Sequence, residues 1–106
     1  MYVVIFVTAA GKKEADGIAS ALIKKKLAAC VNIADRVQSV FWWQGRVDTA
    51  KELLLIIKSK RPLLPKIIKL IKSKHSYKVP EIIALPIISG NPDYLRWIDD
   101  SVRKSR

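Results

Sequence analysis

Apolar and polar positions change period several times along the 106 residues, and each change marks an element. Residues 2–8 are β-branched or aromatic with hardly a polar break, the pattern of a short buried strand. Past Gly11 the period turns helical. Ala15, Ile18, Ala19, Leu22 and Ile23 recur at i, i+3, i+4, i+7 and i+8, which predicts a helix over about residues 12–26. Glu14 and Asp16 near its start, and Lys24, Lys25 and Lys26 at its end, complement the helix dipole. Residues 28–43 read as a strand with an irregularity at Ala34-Asp35. Gln44-Gly45 supplies a turn, and residues 46–58 return as a second strand. Pro62 and Pro65 open a second helix with Leu64, Ile67, Ile68 and Ile71 as its buried stripe. Residues 79–88 form a last apolar strand, with Pro80 near its start and Pro86 marking an edge or bulge. Asn91, Pro92 and Asp93 are the N-cap, first residue and acidic first turn of a final helix carrying Tyr94, Leu95, Ile98 and Val102.

The order β-α-β-β-α-β-α is that of an α+β, ferredoxin-like sandwich with a long central hairpin and a C-terminal helix. One domain over residues 1–106 is expected, since the length leaves room for one core. The crossover helices of such a fold cover one sheet face, and a face that meets water alternates to polar residues. Here both faces are apolar: Val3, Ile5 and Val7 oppose Val4 and Phe6, and Leu53, Leu55 and Ile57 oppose Leu54 and Ile56. Four strands of ordinary length leave an uncovered face on the order of 400 Å², the upper end of what a monomer exposes. The hairpin adds to this, because a strand over residues 28–43 spans about 53 Å at roughly 3.3 Å per residue. Its distal half projects as an arm tipped by Phe41, Trp42 and Trp43. Exposed indoles on a marginal two-stranded arm call for a neighbouring subunit. The pattern predicts an oligomer.

Composition narrows the function classes. Twenty Lys and Arg against nine Asp and Glu give a formal charge of +11. The lysines at 12, 13, 24–26, 66, 69, 72 and 74 fall on the polar faces and ends of the two predicted crossover helices, which reads as a solvated surface. Nucleic acid is not an expected partner, since the aromatics cluster at the hairpin tip instead of on central strands. The lone cysteine, Cys30, excludes an intramolecular disulfide and suits a reducing compartment. The apolar start lacks a preceding charged region, and no apolar run approaches the roughly 20 residues of a membrane span. A cytoplasmic location without membrane contact is expected.

No phosphate-binding loop, dinucleotide fingerprint or nucleophile elbow occurs in the sequence. Cys30 reads either as a small buried hydrophobe or, sharing a strand side with Ala28 and Asn32, as a residue facing a neighbouring subunit. His75 reads as a capping or solvated histidine at a helix end, or as a ligand. Together a thiolate and an imidazole would suit copper or zinc. Glu81 is a strand-end or site carboxylate, and Trp42 and Trp43 are interface anchors before they are ligand stackers.

Five blocks carry a further signal. They are Leu27-Ala28-Ala29-Cys30-Val31-Asn32-Ile33, Ser39-Val40-Phe41-Trp42-Trp43-Gln44-Gly45-Arg46-Val47, residues 52–58, His75-Ser76-Tyr77-Lys78-Val79-Pro80-Glu81-Ile82-Ile83, and Tyr94-Leu95-Arg96-Trp97-Ile98. In this order and spacing the chain resembles the CutA family of divalent-cation-tolerance proteins over essentially its whole length. The resemblance implies a ferredoxin-like homotrimer with clefts between subunits, similar in architecture to PII signalling proteins, and no enzymatic reaction. It implies a role in response to copper or another divalent cation, with Cys30 and His75 as matching metal ligands. Trp43, Glu52, Lys58, Tyr77 and Glu81 match positions around the intersubunit cleft. A second reading follows from the same likeness: a signalling or scaffold trimer taking a small anion or a protein partner in those clefts, Lys58 meeting the anion. The chain departs from the family pattern at Val7, where some members carry cysteine, and at Lys74, where some carry histidine. It also has Thr8-Ala9-Ala10 for Thr-x-Pro and His75-Ser76-Tyr77 for His-Pro-Tyr. With one Cys and one His per chain, a soft-metal site would be weak or would need ligands from several subunits.

Overall fold

A computed structural model describes residues 1–104, so the last two residues of the expected 1–106 domain lie outside the described ones. In chain order the elements are β1 (Tyr2–Ala9), α1 (Lys12–Lys24), β2 (Cys30–Trp43), β3 (Arg46–Lys60), a 3-10 turn (Arg61–Leu63), α2 (Leu64–Lys74), β4 (Ile82–Pro86) and α3 (Pro92–Ser101). The strands form one antiparallel sheet in the order β2-β3-β1-β4, the ferredoxin-like arrangement.

Register assigns the faces. Ile5 lies opposite Ile57 and Val7 opposite Leu55, and directly paired residues share a face. These four are fully buried, in one core with Ala15, Ile18 and Leu22 of α1 and Ile67 and Ile71 of α2. Val31 and Ile33, paired with Ile57 and Leu55, belong to the same side. The polar exception in this layer is Ser59, whose buried hydroxyl donates to the Leu27 carbonyl at 2.6 Å and anchors the α1–β2 connection. Val4, Phe6, Leu54, Ile56, Ile83 and Leu85 alternate to the opposite face. There Ile83 is 51% and Leu85 43% exposed, whereas Ile5, Val7, Leu55 and Ile57 at the centre of the helix side are fully buried.

β1 pairs with β3 only as far as Leu53, so residues 37–52 project as a two-stranded arm and the molecule reaches 44 Å in its longest dimension. At the tip, Gln44 and Gly45 both take positive φ (51° and 75°), as the tight turn matching strand twist requires. The expected irregularity is a register shift between Ala34 and Val37, with Arg36 at φ 63°.

Several boundaries differ from the sequence expectation, β1 running on to Ala9 and β3 to Lys60. The last strand covers only Ile82–Pro86, not residues 79–88. Pro80 offers no ladder donor, and the preceding residues are tied back to α1 and β1 by side-chain hydrogen bonds described below. β2 begins at Cys30, so Ala28 does not share its alternation and is buried in the core. α1 ends at Lys24, and the turn after it places Lys26 at φ 56°.

α3 docks on the sheet face that α1 and α2 leave open. Asn91 caps it by accepting from the Asp93 N–H at 3.0 Å, and Ile98 is its fully buried contact. Asp99 is the latch: Tyr2 Oη donates to one carboxylate oxygen at 2.5 Å and Lys60 Nζ to the other at 2.7 Å. The Lys60 contact first, and the Tyr2 hydroxyl second, hold the Asp99 carboxyl below its ordinary range. A depressed carboxylate stabilises the folded state above its unfolded pKa, and that contribution disappears as pH falls through the folded value. Acidification below about pH 4 should therefore loosen α3. The measurement is hydrogen exchange of the α3 amides: they should exchange faster in acid, relative to the intrinsic rate, in the parent chain. Asp99→Asn should exchange fast already at neutral pH, and a parent-like profile in that variant would refute the latch.

Candidate functional site

Where the arm leaves the sheet, its inner residues meet the loop that follows α2. Two hydrogen-bonded anchors set that loop. The Glu14 carboxylate at the start of α1 accepts from the Ser76 N–H at 2.8 Å and the Ala10 N–H at 3.2 Å. Burial raises the Glu14 pKa, but the hydrogen bonds from Ser76 and Ala10 outweigh it and leave the carboxyl below its ordinary value. His75, whose side chain is fully buried, is the other anchor. Its Nε2 lies 2.7 Å from the Thr8 carbonyl oxygen, and its Nδ1 accepts from the Tyr77 N–H at 3.0 Å. A carbonyl can only accept, so the ring carries its proton on Nε2.

This geometry delivers Tyr77. Its ring packs against His75 with centroids 4.8 Å apart, and its hydroxyl donates to Glu52 at 2.8 Å. Burial first, then the Glu52 hydrogen bond and charge, push the Tyr77 phenol up to about 12. Glu52 sits on β3 where the arm begins and is only 5% exposed. Among the described residues, no Lys or Arg forms an ion pair with it.

Glu52 and Tyr77 form part of the wall of a cavity of about 720 Å³ that also receives Trp43, Glu81, Phe41 and Asp48. Thus four of the five residues assigned to the cleft by resemblance, Trp43, Glu52, Tyr77 and Glu81, converge within one protomer. Lys58 does not. It shares the Glu52 face of β3 but lies six residues along, about 20 Å at ~3.3 Å per residue, and bonds to Asn32. Asp48 was not singled out in the sequence, although it lies four residues from Glu52 and hence on the same strand face.

Cys30 lies beyond Lys58, its direct cross-strand partner, on the face away from α1 and α2. Its thiol is 3.8 Å from Asn32 Oδ1. Burial first, and the neighbouring thiol second, raise the Tyr94 phenol. Thr8, which holds His75, pairs with Leu54, four positions along β3 from the Lys58 level and one strand further over. That is about 13 Å along the strands and about 10 Å across them. A metal ion needs donors at roughly 2.0–2.3 Å, so one protomer does not bring Cys30 and His75 to a common ion. Both His75 ring nitrogens are moreover engaged by backbone groups. Among the described residues no three His, Cys, Asp or Glu side chains converge as a metal site.

Fold and cavity together define a ferredoxin-like protein with an aromatic and acidic recess at the root of a long arm. The CutA1 divalent ion tolerance protein family profile matches residues 3–101. The chain is 47% identical over 103 residues to "Protein CutA 1, chloroplastic" of Oryza sativa subsp. japonica, covering 97% of this chain and 58% of that protein. It is 43% identical over 98 residues to "Divalent-cation tolerance protein CutA" of Thermus thermophilus, covering 92% and 95%. The chain thus spans just over half the length of the plant relative and nearly all of the bacterial one. The solved Thermus thermophilus divalent cation tolerance protein superimposes with a TM-score of 0.95 at 42% identity, covering 97% of this chain and all of that one. The structure of CutA1 from Oryza sativa gives 0.95 at 46% identity, covering 98% and 95%. The chain belongs to the CutA1 divalent ion tolerance family.

The Tyr77–Glu52 contact makes a titration prediction. A phenol raised from 10 to about 12 favours folding below its unfolded pKa and loses that contribution as pH rises toward 12. Spectrophotometric titration should show a late-ionising tyrosine that disappears in Tyr77→Phe. Glu52→Gln should bring that ionisation down part of the way, leaving the portion due to burial. An unshifted late titration in Glu52→Gln would refute the coupling.

Proposed function

We propose that this chain acts in divalent-cation tolerance as a cytoplasmic homotrimer, by binding and not by catalysis. The observation that carries the oligomer is the second apolar face. α3 covers part of it, yet Ile83 and Leu85 remain half-exposed, Trp97 of α3 is itself 45% exposed, and Trp42 at the arm tip is 75% exposed. No described helix is long and apolar enough to cross a membrane, so a lipid-spanning helix does not account for that surface. The lone cysteine supports the reducing compartment, although the Oryza sativa relative is named chloroplastic and the Archaeoglobus fulgidus one periplasmic.

Copper or another divalent metal is the proposed effector. Cys30 and His75 do not fit a single-protomer site, so binding through them requires donors from more than one subunit. The partly exposed position of Cys30 on the open face supports such sharing. The second reading, a cleft that takes a ligand other than a metal, draws support from the cavity itself. Its three carboxylates face a single lysine, Lys78, which disfavours the small anion that the PII likeness brings to mind.

Sedimentation equilibrium at micromolar concentration should report three times the chain mass, and Leu85→Asp should shift it to a smaller species. A stable monomer of the parent chain would contradict the assembly. Copper titration of the assembled protein should saturate and be lost in Cys30→Ser or His75→Ala. Unchanged affinity in both variants would remove the metal assignment while leaving the assembly intact.

A further inference from the structure

Acidic groups are scarce in this chain, nine against twenty Lys and Arg, yet three of them, Asp48, Glu52 and Glu81, line one cavity. Glu52 is nearly buried and, among the described residues, its recorded partner is a neutral phenol and not a cation. Withdrawing a carboxylate from water without a counter-charge is costly, so such a position favours any cation that can reach it. Elsewhere on the wall Phe41, Trp43 and Tyr77 offer electron-rich ring faces that attract cations, and Lys78 is the basic side chain the three carboxylates outnumber.

The kind of cation follows from size and from the donor set. A bare metal ion needs several donors drawn to within about 2–2.6 Å of one point. No three ligating side chains converge that way among the described residues. The carboxylates instead stand around a space of about 720 Å³, inside the roughly 300–1,000 Å³ range of small-molecule sites. From these observations we propose that the recess at the root of the arm is a binding site for an organic cation, an ammonium or guanidinium group carried on an apolar body. Glu52 and Glu81 take the charge, and Trp43 and Phe41 enclose the body. The inference deepens the proposal that the cleft is a binding place, and it is independent of Cys30 and His75.

The probe is benzyltrimethylammonium, titrated calorimetrically into the self-associated protein, with benzyl alcohol and benzoate as neutral and anionic controls. Saturable binding is expected for the ammonium, with the two controls at least about tenfold weaker, the scale of one charge-assisted contact. Glu52→Gln should weaken the ammonium by about tenfold or more. Glu81→Gln, at an exposed position outside the core, should weaken it in a chain whose fold is undisturbed. Equal binding of benzyl alcohol would overturn the role of charge. No saturable binding of the ammonium, or binding indifferent to both substitutions, would overturn the site. A self-associated protein that takes up copper but ignores benzyltrimethylammonium would remove this inference alone and leave the proposed function standing.

Discussion

The alternation of side chains along β3 governs most of what this molecule does. Leu55, Ile57 and Ser59 point into a core closed by α1 and α2, so their positions are settled by packing within the chain. Leu54 and Ile56 point the other way, and so do their neighbours Phe6 and Val4 on β1. A one-residue slip of register would exchange the two sets, and because both are apolar, hydrophobicity alone discriminates weakly between the registers. Side-chain chemistry breaks the tie. Ser59 finds the Leu27 carbonyl only on the helix side, while Lys58 and Lys60 reach Asn32 and Asp99 only on the other.

The same alternation places the cavity. Continued past the last β1 pairing, β3 presents Glu52 and then Asp48 on the open face, where no helix covers them. What buries Glu52 is instead the return of the chain after α2. That return is held by groups from two elements, the Glu14 carboxylate of α1 and the Thr8 carbonyl of β1, the second through the return's own His75 imidazole. A histidine that uses one nitrogen as donor and the other as acceptor joins two backbone segments with defined polarity, which a phenylalanine of similar size could not do. In one protomer His75 therefore acts as a structural strut beneath Tyr77. Its value to the recess is positional.

Much of the fold was legible because it rests on periodicity and turn chemistry. The two crossover helices, the hairpin, the turn at Gln44-Gly45 and the shift near Ala34 each follow from local pattern. The family was legible too, from blocks scattered over the length of the chain. What periodicity could not convey was long-range polar contact. Val79 beside the Ile82 run reads as strand, and only the bonds from Glu14 and Thr8, over 60 positions away in sequence, show why residues 75–81 form an anchored loop. Glu14 itself reads as an ordinary dipole-complementing acid. Lys58 was grouped with Trp43 and Tyr77 by likeness to a cleft between subunits; within one protomer, strand geometry sets it near Cys30, at the far end of the same face.

That separation bears on how a protein of this family could respond to a metal ion. Cys30 lies on β2 while His75, in the loop after α2, is bonded to Thr8 of β1, so the sheet keeps them apart within one protomer, and His75 would have to surrender a backbone contact to become a ligand. Side-chain rotation cannot bridge a gap set by four residues of rise and two strand spacings. A soft ion shared between them must then join different copies of the chain, which couples metal occupancy to assembly by mass action. The apolar open face already favours assembly without metal. On this architecture, in a self-associated protein, a metal ion would reinforce contacts made by hydrophobic burial, and the recess beside Glu52 would remain available to a ligand of different chemistry.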